Sequence, residues 1–348
     1  MTHSETILPL CGLKVVEISN LEAVGYACRL LGQLGADLTK VEGTDGDPLR
    51  RRPPFAPTED GSDRSIAFEF FHGGKQCLTA DVAADRIEAA DILVVDHQAL
   101  SDLGLHLPYR RPGQLRVFVG PYGGGADLMV PTSAMSRLHG GTSGYIIPAD
   151  PDASKRPAWP GPYVFECMHG VGLSVAIVAE RARDDGGELD YSLQAYGLWL
   201  DKLLFSRTST SGVEMHRDTS AYPYGGNIRC ADGFVAILVL EEHQWRGLAR
   251  MVDRPDWLSD PLFANGVQRN RNRAPIAQGL ADWCAAHTVD EVLECARAND
   301  VPAGRCRSPT QVLNAEVAAS RDFFVDTETP FGTLRTPTLP FGPTLRGR

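Results

Sequence analysis

The sequence predicts an α/β chain: a Rossmann-like large domain with a smaller α+β domain. Three observations carry that prediction. Leu13–Glu42 reads as strand, helix, strand. Ala90–Asp96 and Leu115–Gly120 are further apolar, β-branched runs, as expected of parallel strands buried on both faces. Beyond residue 222 the pattern changes to one alternating strand followed by amphipathic helices.

Each element has a local reason. Leu13–Ser19 is a short β-branched run, and Leu30, Leu31 and Leu34 then recur at helical spacing. Gly35-Ala36 ends that helix, and Leu38–Val41 opens the second strand. Ligands bind such βαβ units outside the carboxyl ends of the strands, which here means Ser19–Gly25. The stretch has no G-x-G-x-x-G, so the usual dinucleotide fingerprint is missing. Residues 50–65, with Pro53, Pro54, Pro57 and Gly61, read as loop. A helix is expected from Thr132, and a proline-rich loop over 140–162. Val164, Met168, Val171, Val175 and Val178 then predict a long helix over 163–183, stopped at Asp184–Gly187. Another helix is expected over 193–205. In the second pattern, Phe234–Leu240 alternates as a strand, and helices are expected over 243–252, 273–287 and 289–298. Phe323–Thr336 reads as a hairpin returning to the first domain. The expected division is therefore 1–205 with 305–348 as the large domain, 206–221 as linker and 222–304 as the small domain.

Composition excludes several classes. A chain of 348 residues with 43% hydrophobic and 22% charged residues is ordinary for a globular protein. A net charge of −10 disfavours nonspecific nucleic-acid binding. No run of about 18 apolar residues suggests a membrane span. The N-terminus lacks the basic and apolar regions of a signal peptide, so a cytoplasmic location is expected. The eight cysteines are scattered, with no C-x-x-C, which argues against a zinc site or a disulfide framework; no metal is expected.

The segment GLKVVEIS…LLGQLGADLTKVE with GDPLR resembles the opening of the family III CoA-transferases, which include formyl-CoA transferase, carnitine CoA-transferase and alpha-methylacyl-CoA racemase. The resemblance returns at Gly73–Asp81, Gly187–Leu198, Tyr222–Ile237, His243–Trp257 and Val301–Leu313. It implies an acyl-CoA or CoA as substrate, a large domain completed by both chain ends, and two subunits threaded through each other as an intertwined dimer. It also implies an aspartate nucleophile just before the long central helix. A carboxylate is needed there because its acyl anhydride is reactive enough to pass the acyl group on.

This chain departs from that pattern at several places. Pro162 stands where the resemblance puts the aspartate; proline suits a first helical turn but is no nucleophile. Ala126 replaces the racemase histidine, while Asp127 remains. Glu241 matches a further racemase glutamate. Near the lost aspartate stand Glu166 and His169, three apart on one helix face, a carboxylate and imidazole suited to acid–base work. The expected catalytic set is therefore Glu166, His169, Asp127 and Glu241.

For CoA, the resemblance points to Lys75 as a phosphate contact. It also points to Asn20, Leu21, Glu22 and Ala23 in the first strand-to-helix loop, although Glu22 brings a negative charge beside an anionic ligand. Arg50 and Arg51, with Arg52 beside them, stand in for an arginine missing after Glu42. Asp96 and His97 occupy the place of the family's asparagine and phenylalanine. Three functions follow as expectations: an acyl-CoA-handling transferase with altered catalytic residues, working as a homodimer; a nucleophile-lacking subunit of a heteromer with a related family member; or an isomerase- or racemase-like enzyme or non-catalytic binding protein.

Overall fold

The computed structural model describes residues 8–123, 163–183, 185–200, 206, 209, 210, 212 and 224–340. The expected helix at 132–139, the loop at 140–162 and most of the linker lie outside them, as do Asp127 and Pro162. The described residues fall into two compact units.

In the first unit, β1 (Lys14–Ile18) leads into α1 (Glu22–Gln33) and β2 (Asp37–Glu42). The short strands β3 (Phe55–Pro57) and β4 (Asp63–Ser65) pair antiparallel before α2 (Ile66–His72) and β5 (Gln76–Thr79). Then come α3 (Ala84–Ala89), β6 (Ile92–Val95), α4 (His97–Asp102) and β7 (Leu115–Gly120). The long helix α5 (Val164–Arg181) follows, then β8 (Gly187–Ser192) and α6 (Leu193–Leu200).

Six of these strands form one parallel sheet in the order β5-β2-β1-β6-β7-β8. Counted along the chain, that is the 3-2-1-4-5-6 order of the Rossmann fold, whose direction of winding reverses between β1 and β6. Alternate residues feed two cores, as period-two side chains must. Val15, Ile92, Val94, Leu115 and Val117 pack with Leu31 of α1 and Leu173 and Ile177 of α5. Val16, Ile18, Leu93 and Val95 pack with Ile87 on the opposite face.

Two segments differ from expectation. The loop expected at 50–65 holds the β3–β4 hairpin, whose three-residue strands are too short to show a period. Gly187–Ser192, for which no strand is expected between the helix stop at Asp184–Gly187 and the helix from Leu193, is the edge strand β8. Only Tyr191 within it is fully buried, so an apolar run is not required there.

The second unit carries an antiparallel sheet ordered β11-β10-β9, built from β9 (Gly225–Arg229), β10 (Phe234–Leu238) and β11 (Ala303–Arg305). Its helices α7 (Glu242–Met251), α8 (Gly266–Arg271), α9 (Arg273–Ala285) and α10 (Val289–Ala298) close on Trp245, Trp257, Val235, Ile237 and Leu280. The boundary expected after residue 304 falls inside β11, and this unit runs on to Ala318, past α11 (Pro309–Leu313). The hairpin β12 (Phe324–Thr329) and β13 (Gly332–Pro337) belongs to the first unit. There the Glu59 N–H donates to the Pro330 carbonyl at 3.0 Å.

Candidate active site

The reversal between β1 and β6 puts two loops side by side at the carboxyl ends of the sheet. Asp96 ties them together. Its Oδ1 accepts the Ala99 N–H at 2.7 Å, capping α4, and its Oδ2 accepts the Asn20 N–H at 3.0 Å. Asp96 is buried; its bond to Ala99 is buried and its bond to Asn20 part-buried. His97 beside it is exposed and lies flat on Phe118, with ring centroids 5.2 Å apart.

In the β1–α1 loop the Leu21 N–H donates to Ser19 Oγ at 3.0 Å. Leu21 and Ala23 are buried. Glu22 opens α1, where a carboxylate complements the positive end of the helix dipole. The Glu22 carboxylate accepts from Arg52 at 2.5 Å, with 18% of the Glu22 side chain and 50% of the Arg52 side chain exposed. Burial disfavours the Arg52 charge, but the Tyr163 hydroxyl and Glu22 outweigh it and raise its pKa. Tyr163 precedes α5 with φ 65°, an uncommon conformation for a bulky residue. Its ring packs edge-on to Phe71 at 5.2 Å.

Lys75, expected as a phosphate contact, turns inward rather than toward solvent. Its side chain is 1% exposed. Its three ammonium protons have three acceptors: Glu17 Oε2 at 2.6 Å, the Gly25 carbonyl at 2.9 Å and His72 Nδ1 at 3.0 Å. Glu17 also pairs with Lys40 at 3.2 Å, and Lys40 reaches Asp47 at 2.8 Å and the Ser19 carbonyl at 2.7 Å. Glu17 and Lys40 are register partners on β1 and β2. Burial alone would raise the Glu17 pKa; Lys40 and Lys75 outweigh it and hold the carboxyl far below the usual range. Burial, reinforced by Lys75, keeps His72 neutral by pushing its pKa well below the ordinary value. Buried ion networks of this kind are costly to break, and this one underlies the β1–α1 loop.

The arginines divide. Arg50 grips Glu42 through Nε at 2.7 Å and Nη2 at 2.6 Å and stacks on Phe68, so it holds the β2 loop together. Burial opposes ionisation of Glu42, but Arg50 overrides it and brings the pKa down to about 2. Arg51 is exposed and donates to the Asp45 carbonyl.

Of the expected catalytic set, Glu166 and His169 share α5, and Glu241 lies in the second unit. His169 is 2% exposed. Its ring sits 5.3 Å from that of Tyr196, and its carbonyl accepts the Tyr191 hydroxyl at 3.3 Å. Glu166 is half-buried in the first turn of α5. Cys167 beside it is no ready nucleophile: burial, reinforced by Glu166, pushes its thiol up to about 11. Glu241 precedes α7, and its N–H donates to Gln244 Oε1 at 3.1 Å. Its side chain is 68% exposed. Among the described residues no group of three His, Cys, Asp or Glu side chains is arranged to hold a metal.

Sequence reasoning missed Glu17, Lys40, Asp47 and His72. A signal existed for two of them: Glu17 of β1 and Lys40 of β2 are charges of opposite sign at paired positions inside the apolar runs Val15–Ile18 and Leu38–Val41.

Comparison with known proteins agrees with this architecture. The chain is 23% identical over 341 residues to succinyl-CoA:mesaconate CoA-transferase of Haloarcula hispanica, covering 91% of this chain and 85% of that one. It is 24% identical over 345 residues to the succinyl-CoA–L-malate CoA-transferase alpha subunit of Chloroflexus aurantiacus, covering 91% and 78%. The structure of a CAIB/BAIF family protein from Brucella suis matches with a TM-score of 0.78 at 22% identity, covering 96% of this chain and 92% of that one. The profile of CoA-transferase family III matches residues 10–98 and 130–344. With most of its length so matched, and with a sheet of the same fold, this chain belongs to CoA-transferase family III.

Proposed function

We propose that this chain binds an acyl-CoA at the switch point of its first unit and moves CoA between carboxylic acids. The observation that carries the reading is the Asp96–Asn20 bond, which fixes two loops at the place where open α/β sheets bind ligands. Asn20, which is partly exposed, would face the coenzyme. Exposed His97, flat on Phe118, offers a stacking face, and Arg51 and Arg52 supply the solvent-facing positive charge that Lys75 does not. Dicarboxylic acids are the proposed acyl class, since mesaconate and malate appear in the relatives' names. The test is thermal unfolding with and without CoA and succinyl-CoA, because a ligand of the native state raises stability by mass action. No stabilisation by either at millimolar concentration would overturn the reading.

A second reading, that the chain is one subunit of a dimer or heteromer, has its own support. Val164, Val171, Val175 and Val178 form an exposed apolar stripe along α5, and Pro162 leaves the family's nucleophile to be supplied from elsewhere. One relative is named an alpha subunit. Sedimentation of the chain alone, and with a family member that retains the aspartate, tests this; a monomer in both cases would refute it. An isomerase- or racemase-like reaction through Glu166 and His169 has less support, because His169 is enclosed beside Tyr191 and Tyr196.

A further inference from the structure

We propose that Glu22 is the carboxylate that becomes acylated in this chain, with Arg52 and Tyr163 holding it in place. The proposal rests on the CoA-transfer reading above and adds the residue that would carry it.

Position and availability both point to Glu22. Four other carboxylates near these loops are committed. Glu17 is 2% exposed and bonded to two lysines. Glu42 is 5% exposed and held by both arms of Arg50. Asp47 is 1% exposed against Lys40. Asp96 spends both oxygens on backbone N–H groups. Glu22 instead has a partly exposed side chain and, among the described residues, one half-exposed cation as its ion-pair partner. Arg52 also links Glu22 to Tyr163, the residue that follows Pro162. The charge at position 22 is therefore joined to the point in the chain where the resemblance expects a carboxylate and finds proline. A charge that is unfavourable for merely binding an anion is what covalent transfer requires.

The steps balance. A Glu22 oxygen bonds to the thioester carbonyl carbon, the C–S bond breaks, and CoA leaves as thiolate with the electron pair. The thiolate then attacks the Glu22 carboxyl carbon of the anhydride. The anhydride C–O bond breaks and the donor acid departs as a carboxylate, leaving CoA on Glu22. An acceptor carboxylate runs the same two steps backwards and restores the Glu22 anion. No redox partner is consumed. While Glu22 is acylated it is uncharged, so the Arg52 guanidinium is released to pair with the departing or arriving carboxylate.

The experiment uses the full chain with succinyl-CoA as probe, hydroxylamine quenching and peptide mass spectrometry. A hydroxamate on the peptide carrying Glu22, absent from Glu22→Gln, is expected. Glu22→Asp, which withdraws the carboxylate by about one bond, should lower adduct yield about 10²-fold, since misplacement by roughly 1 Å costs that much. Chemical denaturation confirms that both variants fold. A hydroxamate on Asp127 or Glu166, or none while calorimetry still shows succinyl-CoA binding, overturns the Glu22 assignment and leaves the CoA reading intact. Failure of CoA and succinyl-CoA to bind at all overturns both.

Discussion

Asp96 Oδ2 accepts the Asn20 N–H at 3.0 Å, and that bond joins the loops on either side of the strand reversal. The same carboxylate caps α4 through Ala99. One buried side chain thus sets the end of one element and the path of another, 76 residues apart in the chain. The Asn20 N–H is fixed before any ligand arrives, so the loop's shape does not have to be selected on binding.

Asp96→Ala should therefore act on both stability and binding. The lost cap costs about 0.5–2 kcal/mol, and the charge-assisted bond to Asn20 about 1.5–3 kcal/mol. Urea unfolding should show a loss of roughly 2–4 kcal/mol, and CoA affinity should fall as well. A variant of wild-type stability would mean that the loops are held by other contacts.

Lys75 gives the opposite expectation from a ligand contact. Its ammonium is enclosed by Glu17, Gly25 and His72. Lys75→Met leaves Glu17 buried with one partner fewer, and breaking a buried pair costs about 3–5 kcal/mol. Stability should drop by that order while the folded fraction keeps its CoA affinity. Calorimetry at a temperature where the variant is still folded separates the two effects. A large loss of affinity with little loss of stability would restore the phosphate role.

His72 makes the network sensitive to pH. Burial and Lys75 depress its pKa in the folded state, so the unfolded chain binds a proton that the native chain refuses. Where the unfolded state holds more protons, stability rises with pH. Stability from this group is thus fully present above about pH 6.5 and declines below it, by up to about 1.4 kcal/mol per pH unit. Glu17 and Glu42, both depressed, add their own losses only as pH falls below about 4.5. Denaturation curves between pH 5 and 7 should slope for the wild type and flatten for His72→Gln. Equal slopes would show that His72 protonates in the native state.

The parts that were legible are those with local periodicity. The runs at β1, β6 and β7 announced themselves because each buries a repeating face, and the valine spacing marked α5 as a helix although Val164, Val171, Val175 and Val178 lie on its exposed side while Leu173 and Ile177 face the core. Val289–Ala298 is helical over the expected range, and it carries its own capping box between Thr288 and Glu291. The site was less legible because it is made of long-range pairs. Lys75 looks like a solvent-facing lysine after two glycines, and only its bonds to Glu17 and the Gly25 carbonyl, 58 and 50 residues away, show that it points inward. Glu22 looked unfavourable for the same reason: its partner, Arg52, is 30 residues away. Asp127 and Pro162 fall outside the described residues, and there the sequence alone speaks.

The crossing of α1 and α5 beneath the site gives a last test. A Cβ on Gly170 would lie 2.8 Å from the Ala23 carbonyl oxygen and 2.8 Å from Tyr26 Cβ. The helices touch there through backbone, so a methyl group cannot be accommodated by turning a side chain. Helix propensity alone argues the other way, since alanine is better than glycine inside a helix by about 0.8–1 kcal/mol. Overpacking a close contact costs typically 1–3 kcal/mol, and at 2.8 Å from a carbonyl oxygen the upper part of that range should prevail. Gly170→Ala should therefore destabilise by about 1–2 kcal/mol net. Because Ala23 follows Glu22 directly, the same change should also weaken CoA binding. Gly266→Ala is the control: it sits in a helix of the second unit, its nearest neighbour is a flexible Arg269 nitrogen at 3.9 Å, and it should leave stability unchanged or raised. If both substitutions stabilise alike, α1 and α5 do not pack backbone to backbone at this point.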